Sequence, residues 1–167
     1  EGFTFQTFAD TPEAKAEDKE RERNGQPKRY ARTFNGTFKE HALDLQRLNI
    51  EGAGVYVTIN QTNLKGRKAE NVTAVRSVFA DTDGAPLEPI MCHPCKPQLI
   101  VESSPGKWHT YWLVDDLPLA QFEGVQRRIA EQFQTDACVL DLPRVLRLPG
   151  FYHRKAESFM VGLIYYD

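Results

Sequence analysis

The sequence predicts an α+β domain: a central mixed or antiparallel sheet with helices packed against it. Three observations lead there. Six short stretches, near residues 3–8, 55–60, 76–81, 98–102, 109–114 and 158–166, are rich in β-branched and aromatic residues. Two longer ones, near 38–49 and 119–133, repeat apolar residues at helical spacing. The 167 residues, 41% hydrophobic and 26% charged, suit one ordinary globular core, so a single domain over 1–167 is expected.

Composition narrows the class. A net charge of -2 excludes a uniformly basic nucleic-acid coat but allows a local basic cleft. No apolar run reaches membrane-spanning length and no signal peptide opens the chain, so no membrane partner is expected. Three cysteines, an odd count, suit a reduced cytoplasmic protein. The chain opens on Glu1 and reads as a domain cut from something longer.

In order along the chain, Phe3 to Phe8 alternates apolar and polar residues as a strand does. Residues 10–29, highly charged and broken by Pro12, Gly25 and Pro27, read as a mobile exposed connection. Thr37 with Glu40 three residues on makes a capping box for a helix whose stripe is Phe38, Ala42, Leu45 and Leu48. Val55 to Asn60 is a β stretch. It runs into a basic loop with Lys65, Arg67 and Lys68, which reads either as a plain exposed connection or as a flap that meets phosphates. A short helix is expected at 70–75. Pro86 to Pro97 is irregular and holds Cys92-His93-Pro94-Cys95. Zinc needs four ligands, and with only Cys138 elsewhere a reduced loop without a metal role is the expectation. Two strands then flank the turn Ser103 to His109, which sets Lys107 and His109 on one strand face. The second helix buries Phe122, Val125, Ile129 and Phe133. Arg144 and Arg147, three apart, read as one side of a helical turn before Pro149-Gly150. A closing strand spans 158–166.

The chemistry centres on Val78-Phe79-Ala80-Asp81-Thr82-Asp83-Gly84. Asp81 and Asp83 are two apart and face one side of a continuing strand. Like charges so placed repel, and a hard divalent cation relieves them. Asp136, His109 and several cations come from other element ends. Carboxylates for metal and cations for phosphates are the parts of a triphosphate site. No Gly-x-x-x-x-Gly-Lys-Ser/Thr occurs, which excludes a P-loop ATPase, and no Gly-x-Gly-x-x-Gly follows a strand.

The ordered set of Ala80-Asp81-Thr82-Asp83-Gly84, Ser103 to His109 and Arg144 to Lys155 resembles the archaeo-eukaryotic primase superfamily. The primase-polymerases and RepB-type primase domains of phages and plasmids are the nearest group. The likeness covers most of the chain from about Thr33 onward. It implies a catalytic half like an RNA-recognition motif beside a smaller N-terminal α/β half. It also implies DNA primase or polymerase activity with two Mg²⁺ or Mn²⁺ ions held by Asp81, Asp83 and Asp136. His109, Arg144, Arg147, His153 and Lys155 would meet the incoming nucleotide. Lys107 stands where the family often has serine. Asp141 is the alternative third carboxylate and otherwise reads as a cap for the turn of Arg144. The implied partners are dNTP or NTP, single-stranded DNA template and primer, and a fused or associated helicase. Lys65, Arg67 and Lys68 are the expected DNA contacts. Two other readings stand beside this: a non-catalytic primase-like module that binds nucleic acid, and a metal-dependent glycosyltransferase with an Asp-x-Asp strand end.

Overall fold

The strands fall into two four-stranded sheets rather than one, and every neighbouring pair runs antiparallel. The structure is a computed structural model that describes residues 1–166. In its first half the chain forms β1 (Phe3–Ala9), α1 (Pro12–Arg23), β2 (Arg32–Gly36), α2 (Phe38–Ile50), β3 (Ala53–Thr58), β4 (Gln61–Thr62), β5 (Val72–Ala74) and β6 (Ser77–Asp81). Its second half forms α3 (Glu88–Met91), β7 (Leu99–Ser104), β8 (Lys107–Leu113), α4 (Leu119–Phe133), β9 (Val145–Arg147), β10 (Tyr152–His153), β11 (Phe159–Met160) and β12 (Gly162–Tyr166). One sheet is ordered β2-β1-β3-β9 and the other β12-β7-β8-β6. The small pairs β4-β5 and β10-β11 complete the strands.

Each sheet has its own core. Val78, Phe79, Ile90, Phe122 and Phe133 pack between the second sheet and α4. Trp112 stacks flat on Phe133 with ring centres 5.8 Å apart. Phe5, Leu45, Val55 and Phe151 form the smaller core under α2. The capping box of α2 is present, with Thr37 and Glu40 bonded both ways. Leu45 and Leu48 are buried as its stripe requires, while Phe38 stays half exposed. Among the described residues no helix is long and apolar enough to cross a membrane.

Several local expectations are corrected. Residues 12–23 are helical, not a mobile link. Thr11 caps the helix through a bond from Ala14 N–H at 3.1 Å, and Pro12 starts it where no N–H is needed. Buried Asp18 then fastens the following chain by accepting from Arg29 N–H at 2.7 Å and Tyr30 N–H at 3.2 Å. At 69–75 a single 3-10 turn, Ala69–Asn71, gives way to β5 paired with β4. Arg144 and Arg147 are not on a helical turn. Pro143 and Pro149 leave too few residues between them to nucleate a helix, and Val145–Arg147 instead pairs with β3, Tyr56 opposite Arg147. The closing strand is two: β11 pairs with β10 and β12 with β7, and buried Val161 marks the switch.

β6 is an edge strand, so its outward backbone groups need partners other than a strand. Gln126 of α4, 2% exposed, supplies them. Its amide oxygen accepts from Phe79 N–H at 2.9 Å, and its amide nitrogen donates to the carbonyls of Phe79 and Val139, both at 3.1 Å. Gln126→Leu keeps the volume but strands these groups. Urea unfolding is expected to show a loss of about 2–4 kcal/mol; a loss within 0.5 kcal/mol would mean that the edge finds other partners.

Candidate active site

Asp81 ends β6, directly opposite His109 of β8. The strand stops there. Asp83 lies in the following turn with φ at 37°, and its N–H donates to Asp81 Oδ1 at 3.2 Å. The turn, not strand alternation, therefore brings the two carboxylates together, and the left-handed region is one that Asp tolerates. Asp136 is joined to the same strand end, since its backbone N–H donates to the Asp81 carbonyl at 3.0 Å. Burial, and then the charges of Asp83 and Asp136, push the Asp81 carboxyl above its usual range. Lys107 Nζ lies 2.6 Å from Asp83 Oδ1, and that bond raises the lysine.

The opposite wall of the cleft is cationic, and its anchor is a residue that sequence reasoning missed. Asp10, 1% exposed at the end of β1, accepts from Arg147 Nη1 and Nη2, both at 3.0 Å, and from Arg154 N–H at 2.8 Å. Burial alone would raise Asp10, but the Arg147 bonds and charge hold it below the usual carboxylate range. The Arg147 guanidinium also lies over the Tyr56 ring, 4.8 Å from its centre. Arg144 pairs with Asp141 and donates to the Cys138 carbonyl at 2.7 Å. Asp141 is engaged with Arg144 as an ion pair rather than as a cap, while Asp136 is tied to Asp81 through its backbone N–H.

His109 is 4% exposed. Burial and then Arg147 lower its pKa to about 3, so it is neutral at pH 7. Its Nε2 is 3.8 Å from Asp81 Oδ2, too far for a hydrogen bond and, with a neutral ring, no ion pair. The Tyr111 hydroxyl lies 3.4 Å from Nδ1.

These residues line one cleft of about 370 Å³ between the two sheets. Asp81, Asp83 and Lys107 stand with His109, Arg144, Arg147, His153 and Lys155. Asp136 lines a neighbouring cavity of about 610 Å³ that shares Asp83 with the cleft. The expected DNA-contact loop borders neither cavity. Arg67 donates to Gln6 Oε1 at 2.9 Å and lies over Phe8, 5.5 Å from the ring centre; Phe8 in turn meets Tyr56 edge-on at 5.5 Å. Arg67, Phe8, Tyr56 and Arg147 thus form a continuous cation–aromatic row along one face of the first sheet. Lys65 and Lys68 are exposed beside it.

The donor chemistry at the carboxylate end fits a hard divalent cation: oxygen ligands only, with one carboxylate already facing an ammonium. Among the described residues, no three His, Cys, Asp or Glu side chains are gathered into a ready ligand cluster. Cys92, Cys95 and Cys138 are free and exposed.

Residues 49–164 match the RepB DNA-primase N-terminal domain. The chain belongs to that family. A replication protein of Clostridium perfringens is 24% identical over 143 residues, 74% of this chain and 35% of that protein. Among solved structures, primase RepB′ superposes with a TM-score of 0.67 at 20% identity, covering 98% of this chain and 50% of that one. The AEP domain of the cyanophage S-2L primase-polymerase gives 0.68 at 16% identity, over 98% and 82%. The catalytic domain of RepB′ in complex with initiator DNA gives 0.66 at 22% identity, over 98% and 76%. At these identities the likeness shows the fold: the expected α+β primase architecture is the observed one. The chain spans about a third of the curated relative.

Two outcomes follow from the cleft. Asp10→Ala leaves the Arg147 charge buried without its partner, and unfolding by urea is expected to show a loss of about 3–5 kcal/mol; an unchanged midpoint would mean that Arg147 finds water. Asp81→Asn should raise the melting temperature at pH 7, by roughly 2–4 °C for each kcal/mol relieved. The sign comes from the raised carboxyl. The folded state holds this proton more tightly than the unfolded chain, so native stability falls as pH climbs from the ordinary aspartate value through the folded one. The advantage of the variant should grow across that window and then level off. A variant less stable than the parent at pH 7 would contradict the buried-charge account.

Proposed function

We propose that this domain carries out template-directed nucleotidyl transfer, as a DNA primase and polymerase acting on single-stranded DNA. The observation that carries the reading is the division of one cleft into a carboxylate end and a cationic end. Family membership supports primase chemistry, and the complex of RepB′ with initiator DNA supports DNA as the partner.

In this reading Asp81, Asp83 and Asp136 would hold two Mg²⁺ or Mn²⁺ ions, whose chemistry would be to lower the pKa of an attacking 3′-hydroxyl and to offset charge on a leaving pyrophosphate. The chain's own residues do the rest. Arg147, fixed by Asp10 and lying over Tyr56, is held in place before the triphosphate enters, with its charge partly offset by Asp10. Arg144 and Lys155 add charge from either side of it. Lys107 neutralises Asp83 in the free protein and is free to turn to a phosphate once that carboxylate is engaged. His109 and His153 contact the nucleotide as neutral rings. Lys65, Arg67 and Lys68 extend the positive surface along the first sheet and are proposed to meet the template or primer backbone. A helicase, fused or associated, is the partner to look for in the longer protein.

One observation favours a second reading. Asp83 is already bonded to Lys107, as it could be in a module that binds DNA without chemistry. The glycosyltransferase reading has no support from the family or the fold.

Gel-resolved incorporation of labelled dNTPs and NTPs on single-stranded template, with Mn²⁺ or Mg²⁺ and with or without primer, tests the assignment. Product is expected, and Asp81→Ala/Asp83→Ala protein should lose at least about 100-fold of it. Product without primer makes the domain a primase. No product in any lane, with single-stranded DNA still bound, would favour the binding module.

A further inference from the structure

Two histidines line the cleft, and the hydrogen bonds of one of them fix what it can recognise. His153 Nδ1 lies 3.0 Å from the backbone carbonyl of Ser103. A carbonyl oxygen only accepts, so Nδ1 carries the hydrogen. Burial, and then the charge of Arg147, keep the ring below its ordinary pKa, so it holds a single proton at pH 7. Nε2 is therefore a bare lone pair. That atom has no hydrogen-bond partner among the described residues and is covered from solvent, so a ligand hydroxyl reaches it only when a neighbouring side chain gives way as the cleft is filled.

An unpaired buried acceptor is costly unless a ligand completes it. Phosphate oxygens offer lone pairs and no hydrogen at neutral pH, so they cannot. A metal cation is disfavoured there because Arg147 and Lys155 line the same cleft. A hydroxyl donor fits. In a nucleotide the sugar hydroxyls lie next to the phosphates, whereas the amino groups of the base lie beyond the sugar. An acceptor set among phosphate-binding cations meets the sugar first.

We propose that His153 Nε2 accepts a hydrogen bond from a sugar hydroxyl of the nucleotide held in this cleft and so selects nucleotides by their sugar. The assignment rests on the nucleotide reading given above and adds to it a specificity-determining residue.

Equilibrium titration with ATP, dATP and 2′,3′-dideoxy-ATP in Mn²⁺ separates the possibilities, for the parent protein, His153→Phe and His153→Gln. The parent should bind ATP or dATP about 3- to 10-fold more tightly than the dideoxy nucleotide. A step between ATP and dATP identifies the 2′-hydroxyl, and a step between dATP and dideoxy-ATP the 3′-hydroxyl. His153→Phe should bring all three to one affinity. His153→Gln, whose amide oxygen can accept, should recover part of the difference. A parent that binds all three alike, or a His153→Phe protein that keeps the original ratio at lower affinity throughout, would overturn the assignment while leaving the nucleotide site standing. A parent that binds none of the three would remove the nucleotide reading itself, and the assignment with it.

Discussion

The buried ion pair of Asp10 with Arg147 sets the terms for the rest of the molecule. Its members are 137 positions apart and come from the end of β1 and from β9. Two charges taken out of water are stable only if their geometry is good and their other hydrogen-bonding positions are met. Here the contact is bidentate, Arg154 N–H fills another lone pair of Asp10, and Tyr56 covers the guanidinium face. The backbone makes room as well. A Cβ at position 54 would lie 2.9 Å from Arg147 Nη1 and 3.1 Å from the Asp10 carboxyl carbon, so Gly54 opens β3 where the pair crosses it. The pair thereby ties the end of β1 to β9 across β3 within the first sheet, at the wall of the cleft. The same fixed charge adds to burial in keeping His109 and His153 neutral.

A second constraint positions the carboxylates. β6 carries Asp81 at its tip and has no strand on its outer side. Gln126 bonds both outward groups of Phe79 and, two residues on, Asp136 N–H bonds the Asp81 carbonyl. The partner of the edge at its tip is thus the residue that the motif order marks as the third carboxylate. Asp136 is brought to Asp81 by backbone pairing, without requiring its side chain to be bonded there. Its carboxylate instead accepts from Cys138 N–H at 2.8 Å.

Much of this was legible in the sequence, for reasons that differ by element. α2 and α4 declare themselves by period and, for α2, by its capping box, because both signals are local. β3, β6 and β8 are dense in branched and aromatic residues and fall where expected to within a few positions. α1 was lost because it has almost no apolar face; its anchors are a Thr11 cap and Asp18 bonds to a later turn, and composition sees only charge. Thr11-Pro12 was the available signal. Arg-x-x-Arg is compatible with a helix by spacing alone, and only the flanking prolines and the free edge of β3 decide for a strand. Asp10 could not be read at all. Nothing local distinguishes it from the charged residues that follow, and its partner is set by tertiary structure. Likewise the charge state of a histidine depends on burial, which no motif records.

Lys107 shows how a departure from a motif can have a physical role. Where relatives often have a small hydroxyl residue, this chain places an ammonium on Asp83. Asp81 is already raised by burial and by two neighbouring carboxylates, and Lys107 is the cation that opposes them. With serine there, the free site would face its own repulsion without relief. With lysine, the acidic end of the cleft is partly neutralised, and the divalent ion of the proposed reading would have to compete for Asp83. The released ammonium does not leave the cleft, however, because its backbone is fixed in β8 beside His109. In the proposed reading, metal loading of the carboxylates would free this ammonium for a phosphate, so that one side chain would couple the two ends of the cleft.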